Sequence, residues 1–122
     1  MIKKVSKVWG SEEWLVNNEL YCSKFLNLKK GYRSSLHYHR KKDETFYVLE
    51  GRMKLEYSTK SSKKAVILGE GDYKRIKPGH LHRFRATTNT AKILEVSTHH
   101  EDNDSIRIEP GGEIPKIKEG LR

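Results

Sequence analysis

No stretch of this 122-residue chain sustains the three-to-four-residue apolar repeat of a helix that packs on a core. It breaks instead into short runs whose side chains alternate between apolar and polar, separated by turn residues. "EEWLVNN" (12–18) and "ELYCSKFLNL" (19–28) alternate at period two around an "NNE" turn. "TFYVLEGRMKLEY" (45–57) is two strands hinged at Gly51, and "STKSSKK" (58–64) is a polar hairpin loop. "AVILGEGDY" (65–73) is a short apolar strand ending in glycines. "KPGH" (77–80) is a tight turn, with Pro78 pre-setting its backbone and Gly79 supplying positive φ. "LHRFRATT" (81–88), "AKILEVST" (91–98) and "SIRI" (105–108) complete the set. Short strands at close spacing imply an all-β sandwich or barrel.

The length sets one domain, residues 1–122, with residues 1–18 an N-terminal strand segment. There is no internal repeat and no linker. "EPGGEIPKIKEGLR" (109–122) is rich in Pro, Gly and charge, and residues 110–122 read as a loosely held tail or an arm for a partner subunit. No apolar run approaches the ~20 residues that span a bilayer, and "MIKKVSKVWG" lacks the apolar middle of a secretion signal. The lone cysteine, Cys22, has no internal partner, which fits a reducing cytoplasm, and its alternating run makes it a buried structural thiol. The net charge of +9 attracts anions. No nucleic-acid-binding signature or basic helix accompanies the scattered lysines, which read first as a solvated basic surface, second as an attraction for an anionic sugar, and only third as a contact for nucleic acid.

Chemistry concentrates in "GYRSSLHYHRKKDETFYVLEG" (31–51). His37 and His39, two apart on a strand, share a face, and Glu44 arrives from the neighbouring strand after the "RKKD" turn. His82 follows the second turn, in "GDYKRIKPGHLHRF" (71–84). Three imidazoles and one carboxylate suit a divalent Zn, Fe, Mn, Co or Ni ion, with positions left for water or substrate.

These residues resemble the two motifs of the cupin superfamily. Gly31, His37, His39, Glu44 and Gly51 match the first motif at every position. Gly71, Gly79 and His82 match the second, in which Lys77 stands where a proline is usual and Ala86 where an asparagine is. The resemblance implies a double-stranded β-helix, the jelly-roll barrel, of six to eight strands, with His37, His39, Glu44 and His82 as metal ligands. "VWGSEEWLV" (8–16), "GYRSSLHYH" (31–39) and "LEVSTHHEDNDSIRI" (94–108) further resemble the cupin domain of bifunctional mannose-6-phosphate isomerase/mannose-1-phosphate guanylyltransferases, which often carries Gln where this chain has His37. No nucleotidyltransferase domain is present, so the resemblance implies the isomerase half.

An aldose–ketose isomerase moves a proton between adjacent carbons through an enediol and needs a base beside the metal. Glu95, His80 and Tyr47 are the candidates for the base. Arg33, Arg83 and Arg85 are the candidates for binding a phosphorylated or nucleotide-linked sugar through guanidinium forks. Arg33 ranks first, since a regular strand puts it on the face of His37 and His39. Two other classes stay open: a metal-dependent dioxygenase, and a non-catalytic cupin that binds a sugar or other ligand. Sheet edges of a small jelly roll call for pairing, and a homodimer is expected.

Overall fold

In the computed structural model, which describes residues 2–116, the chain is built almost wholly of antiparallel strands. They are β1 (Lys3–Lys7), β2 (Gly10–Asn17), β3 (Tyr21–Lys29), β4 (Tyr32–Arg33), β5 (Leu36–His39), β6 (Glu44–Glu50), β7 (Met53–Ser58), β8 (Lys63–Leu68), β9 (Tyr73–Ile76), β10 (Leu81–Ala86), β11 (Thr90–Thr98), β12 (Ser105–Glu109) and β13 (Gly112–Glu113). The one helical piece among the described residues is a 3-10 turn at Asp102–Asp104. The first sheet runs β1-β2-β3-β11-β6-β9. In the second, β10 pairs with β7 on one side and with β5 and β4 in succession on the other. β8 lies outside β7, and β12 and β13 lie outside β5 and β4. Among the described residues the thirteen strands outnumber the expected six to eight in part because one long strand is split into β4 and β5, and its edge partner into β12 and β13; rejoining them still leaves eleven.

The alternation read in the sequence sets which residues meet between the sheets. β3 buries Cys22, Lys24, Leu26 and Leu28. β11 buries Ala91, Ile93, Glu95 and Ser97, and β6 buries Glu44, Phe46 and Val48. Cross-strand register sorts these into two halves. Leu28 faces Ala91, and Leu26 faces Ile93, which faces Val48 on its other side. Lys24 faces Glu95, and Cys22 faces Ser97, which faces Glu44. One end of the interior is therefore apolar, closed by Met53, Leu55, Phe84 and Trp9, and the other is polar. The apolar end provides the stability, at roughly 1.5–3 kcal/mol for each fully buried aliphatic or aromatic side chain. The polar end is free to carry chemistry.

Two features bring the motifs together. Gly51 turns the chain from β6 into β7 at φ +76°, where a Cβ would lie 2.5 Å from the Thr90 carbonyl oxygen. The Gly79 amide, in the Pro-Gly turn, donates to the His39 carbonyl at 2.7 Å and ties the second motif to the first. Cys22 is buried as expected, and burial raises its pKa, so it is not a poised nucleophile. β13 pairs with β4, and the Ile114 amide donates to the Gly31 carbonyl at 2.8 Å, so these residues are tied to the sheet. Residues 117–122 lie outside the described residues.

Candidate metal centre

His37 and His39 project inward from β5, His82 from β10, and Glu44 from the start of β6. His82 lies directly across from His37. The ligating nitrogens of the three imidazoles all lie within 4.8 Å of one another. Glu44 Oε2 is 3.2 Å from His39 Nε2 and 3.0 Å from His82 Nε2.

Backbone carbonyls set the tautomers. His82 Nδ1 lies 3.0 Å from the His80 carbonyl, and His37 Nδ1 lies 2.9 Å from the Ser35 carbonyl. A carbonyl only accepts, so each Nδ1 carries the proton, and in the neutral ring each Nε2 keeps its lone pair. This second contact is the one that orients a metal-ligating histidine. Burial, and next the neighbouring His82, push His37 down to about 3, which keeps its imidazole neutral. Burial alone would raise Glu44, but the His39 and His82 imidazoles and then Lys42 outweigh it and hold the carboxyl well below the usual range. Glu44 Oε2 and His82 Nε2 are both buried and lack hydrogen-bond partners among the described residues, although they face each other. At 3.0 Å a bare lone pair would repel the carboxylate oxygen, so the two atoms approach only with a proton or a metal cation between them. The donor set and its orphaned atoms therefore fit a divalent cation.

His37, His39 and Glu44 line a cavity of about 640 Å³ at the polar end of the interior, with His82 buried beside them. Its wall includes Glu95, Lys42, His100, Arg107 and, from the N-terminal segment, Trp9 and Glu12. Lys42 is only 3% exposed. Its Nζ lies 3.0 Å from Glu95 Oε2, 3.5 Å from Glu44 Oε1 and 3.1 Å from His100 Nδ1. Burial opposes its charge, but Glu95 and Glu44 outweigh burial and hold it above the usual lysine range. The "RKKD" turn that carries Lys42 is pinned by buried Asp104, whose carboxylate accepts from the amides of Arg40, Lys41 and Lys42 at 3.0 Å each.

Among the expected base candidates, Glu95 lines the cavity, whereas Tyr47 and His80 do not. Tyr47 alternates with inward Phe46 and Val48 and so faces outward, 38% exposed. His80 contributes its carbonyl, not its ring. The three expected phosphate-binding arginines also lie elsewhere. Arg83 and Arg85 alternate with inward His82, Phe84 and Ala86. Arg83 is spent on structure, donating to the Ser34 carbonyl at 3.0 Å and to Glu109 Oε1 at 3.0 Å. Arg33 fails for a register reason. It pairs with Arg85, while His37 pairs with His82, so four residues on one strand span three on the other. That extra residue between β4 and β5 reverses the face, and Arg33 points away from His37.

Lys42, His100, Arg107 and Asp104 were missed by the sequence reading. Lys42 sits among other lysines and Asp104 among other acids, so neither stands out along the chain. Arg107 faces inward because it pairs with His37, a register invisible in sequence.

A jelly-roll sandwich with three histidines and a glutamate converging at its polar end defines the cupin class. The chain belongs to the cupin domain family, whose sequence model matches residues 24–97. It is 38% identical over 74 residues to an uncharacterized protein of Aquifex aeolicus, a match covering 60% of this chain and 58% of that one. Oxalate decarboxylase from Bacillus subtilis superposes with a TM-score of 0.80 at 22% identity, over 88% of this chain and 30% of that one. The capsular polysaccharide assembling protein CapF of Staphylococcus aureus superposes with a TM-score of 0.79 at 14% identity, over 89% of this chain and 33% of that one. At these identities the structural likeness shows the fold alone. Among the described residues no helix is long and apolar enough to cross a membrane.

Proposed function

We propose that this cupin binds a divalent metal ion through His37, His39, His82 and Glu44 and acts on a small polyoxygenated molecule, a sugar or sugar phosphate, as an isomerase or epimerase. The observation that carries the reading is the convergence of two carbonyl-oriented imidazoles, a third imidazole and a buried carboxylate beside a cavity whose wall also holds Glu95. A bound divalent ion supplies Lewis-acid polarisation of a carbonyl and its neighbouring hydroxyl. Glu95 is the base that takes the proton from the adjacent carbon. Lys42 orients it by holding Oε2 at 3.0 Å, which leaves Oε1 for the substrate. Arg107 and Lys7, both on the cavity wall, replace Arg33, Arg83 and Arg85 as anchors for an anionic end. The resemblance to mannose-6-phosphate isomerase cupins supports this reading, since Val8, Trp9 and Glu12 of the resembling N-terminal segment line the cavity.

The test is elemental analysis of protein purified without chelator, followed by a screen of sugar phosphates in D₂O for deuterium entering beside the carbonyl. Metal at one ion per chain, lost in His37→Ala and His82→Ala, is expected. Glu95→Gln should keep the metal and lower exchange by about 10²–10⁴-fold. Oxygen uptake without exchange would favour the dioxygenase class instead, and metal with neither would favour a binding protein.

A further inference from the structure

Two of the arginines that the register turns away from the cavity stand without partners among the described residues, on the outer face of the second sheet. Arg85 of β10 lies directly across from Arg33 of β4 on one side and Lys54 of β7 on the other. Cross-strand neighbours share a face, so three cations form one row. The next row shows what a balanced arrangement looks like. There Arg83 pairs with Glu56 across the strand and holds Glu109 Oε1 at 3.0 Å. The Arg85 row has no carboxylate in register. Arg33 and Arg85 make no ion pair or side-chain hydrogen bond to a described residue, and Arg85 Nε is buried without an acceptor. Among the described residues Lys54 has only Glu56, at 3.8 Å. Like charges directly opposite each other destabilise a sheet, so the row costs stability in the free protein.

We propose that this row is a binding site for a molecule carrying linked phosphates. Adjacent strands lie about 4.8 Å apart, so the three cations extend over about 10 Å in a line. A line of that length matches a string of neighbouring phosphate groups better than a single oxyanion. Guanidinium forks at Arg33 and Arg85 give bidentate contacts to phosphate oxygens, and Lys54 adds a point charge at the end. Access is open at the other end, where Gly112 pairs with Arg33 and an added Cβ would meet no atom within 4 Å. The site lies on the opposite face from His82 and stands independently of the function proposed for the cavity.

Calorimetric titration of the full chain with inorganic phosphate, pyrophosphate and tripolyphosphate tests it. Affinity should rise along that series. Arg33→Ala and Arg85→Ala should each weaken tripolyphosphate binding by at least about tenfold. Arg85→Lys, which keeps the charge and the fold but loses the fork, should weaken it by a smaller factor. Binding should persist in His37→Ala, which alters the cavity, and in Lys60→Ala, an exposed lysine outside the row. Equal losses in Lys60→Ala and Arg85→Ala would reduce the effect to general surface charge. Loss in His37→Ala but not Arg85→Ala would move the site to the cavity. No binding of tripolyphosphate at millimolar concentration, or affinity equal to that of inorganic phosphate, would overturn the proposal.

Discussion

Replacing Lys42 by Met tests whether the buried ammonium holds the polar end of the interior together. Lys42 lies 3.0 Å from Glu95 Oε2 and 3.5 Å from Glu44 Oε1, in a site where all three side chains are nearly inaccessible to solvent. At an effective dielectric of about 20, each contact carries about 5 kcal/mol of gross attraction, most of it offset by the cost of burying the charges. Methionine fills similar space, but it leaves two carboxylates facing one another with nothing positive between them. Removing one member of a buried charged set costs about 3–5 kcal/mol. That is a large part of the roughly 5–15 kcal/mol available to a domain of this size. The assay is urea unfolding at pH 7 with EDTA present, followed by the fluorescence of Trp9 and Trp14. Lys42→Met should lose about 3–5 kcal/mol and Glu95→Gln about 1–3 kcal/mol. The double variant should be more stable than their sum predicts by at least about 2 kcal/mol, since the second change removes the charge that the first left unpaired. A loss below about 1 kcal/mol for Lys42→Met, or additivity within about 0.5 kcal/mol, would refute the reasoning.

The pH dependence of the metal-free protein has a definite sign. His37 is pushed down to about 3 in the fold from about 6.5 unfolded, so the unfolded chain takes up the proton first and stability falls as pH drops from about 6.5 toward 3, by at most about 5 kcal/mol. Glu44, held below its unfolded value, adds loss in the same direction in acid, and Lys42, held above its own, adds loss only as pH rises past about 10.4. Unfolding free energy measured from pH 3 to 11 should show both flanks, and His37→Gln should flatten the region near pH 5. Asp104→Ala frees three backbone amides in the "RKKD" turn and should cost about 2–4 kcal/mol in urea unfolding, with metal affinity falling alongside because the turn sets Glu44. Gly51→Ala forces a Cβ to 2.5 Å from the Thr90 carbonyl oxygen and should lower Tm far more than Gly71→Ala, where the added atom meets nothing within 4 Å and only the positive φ costs about 1 kcal/mol.

What the sequence determined by itself was the strand pattern and the content of the cluster. Period-two alternation in residues such as Leu26, Leu28, Phe46, Val48 and Ile93 dictates which side of each strand is buried, because side-chain direction on a strand is a local property. His37 and His39 on one strand, with Glu44 after a turn, follow from the same rule, and His82 follows from the Pro-Gly turn before it. Tertiary structure alone decided the rest. Whether Arg33 looks into the cavity depends on one extra residue between β4 and β5, and a bulge changes pairing without leaving a mark on composition. Tyr47 and Glu95 both sit on alternating strands, and only the placement of β6 and β11 beside each other shows that one faces water and the other the cavity. Lys42, Asp104 and Arg107 acquire their positions from contacts 53 to 70 residues away along the chain. Such long-range pairings are set by packing between sheets, which no window of sequence contains.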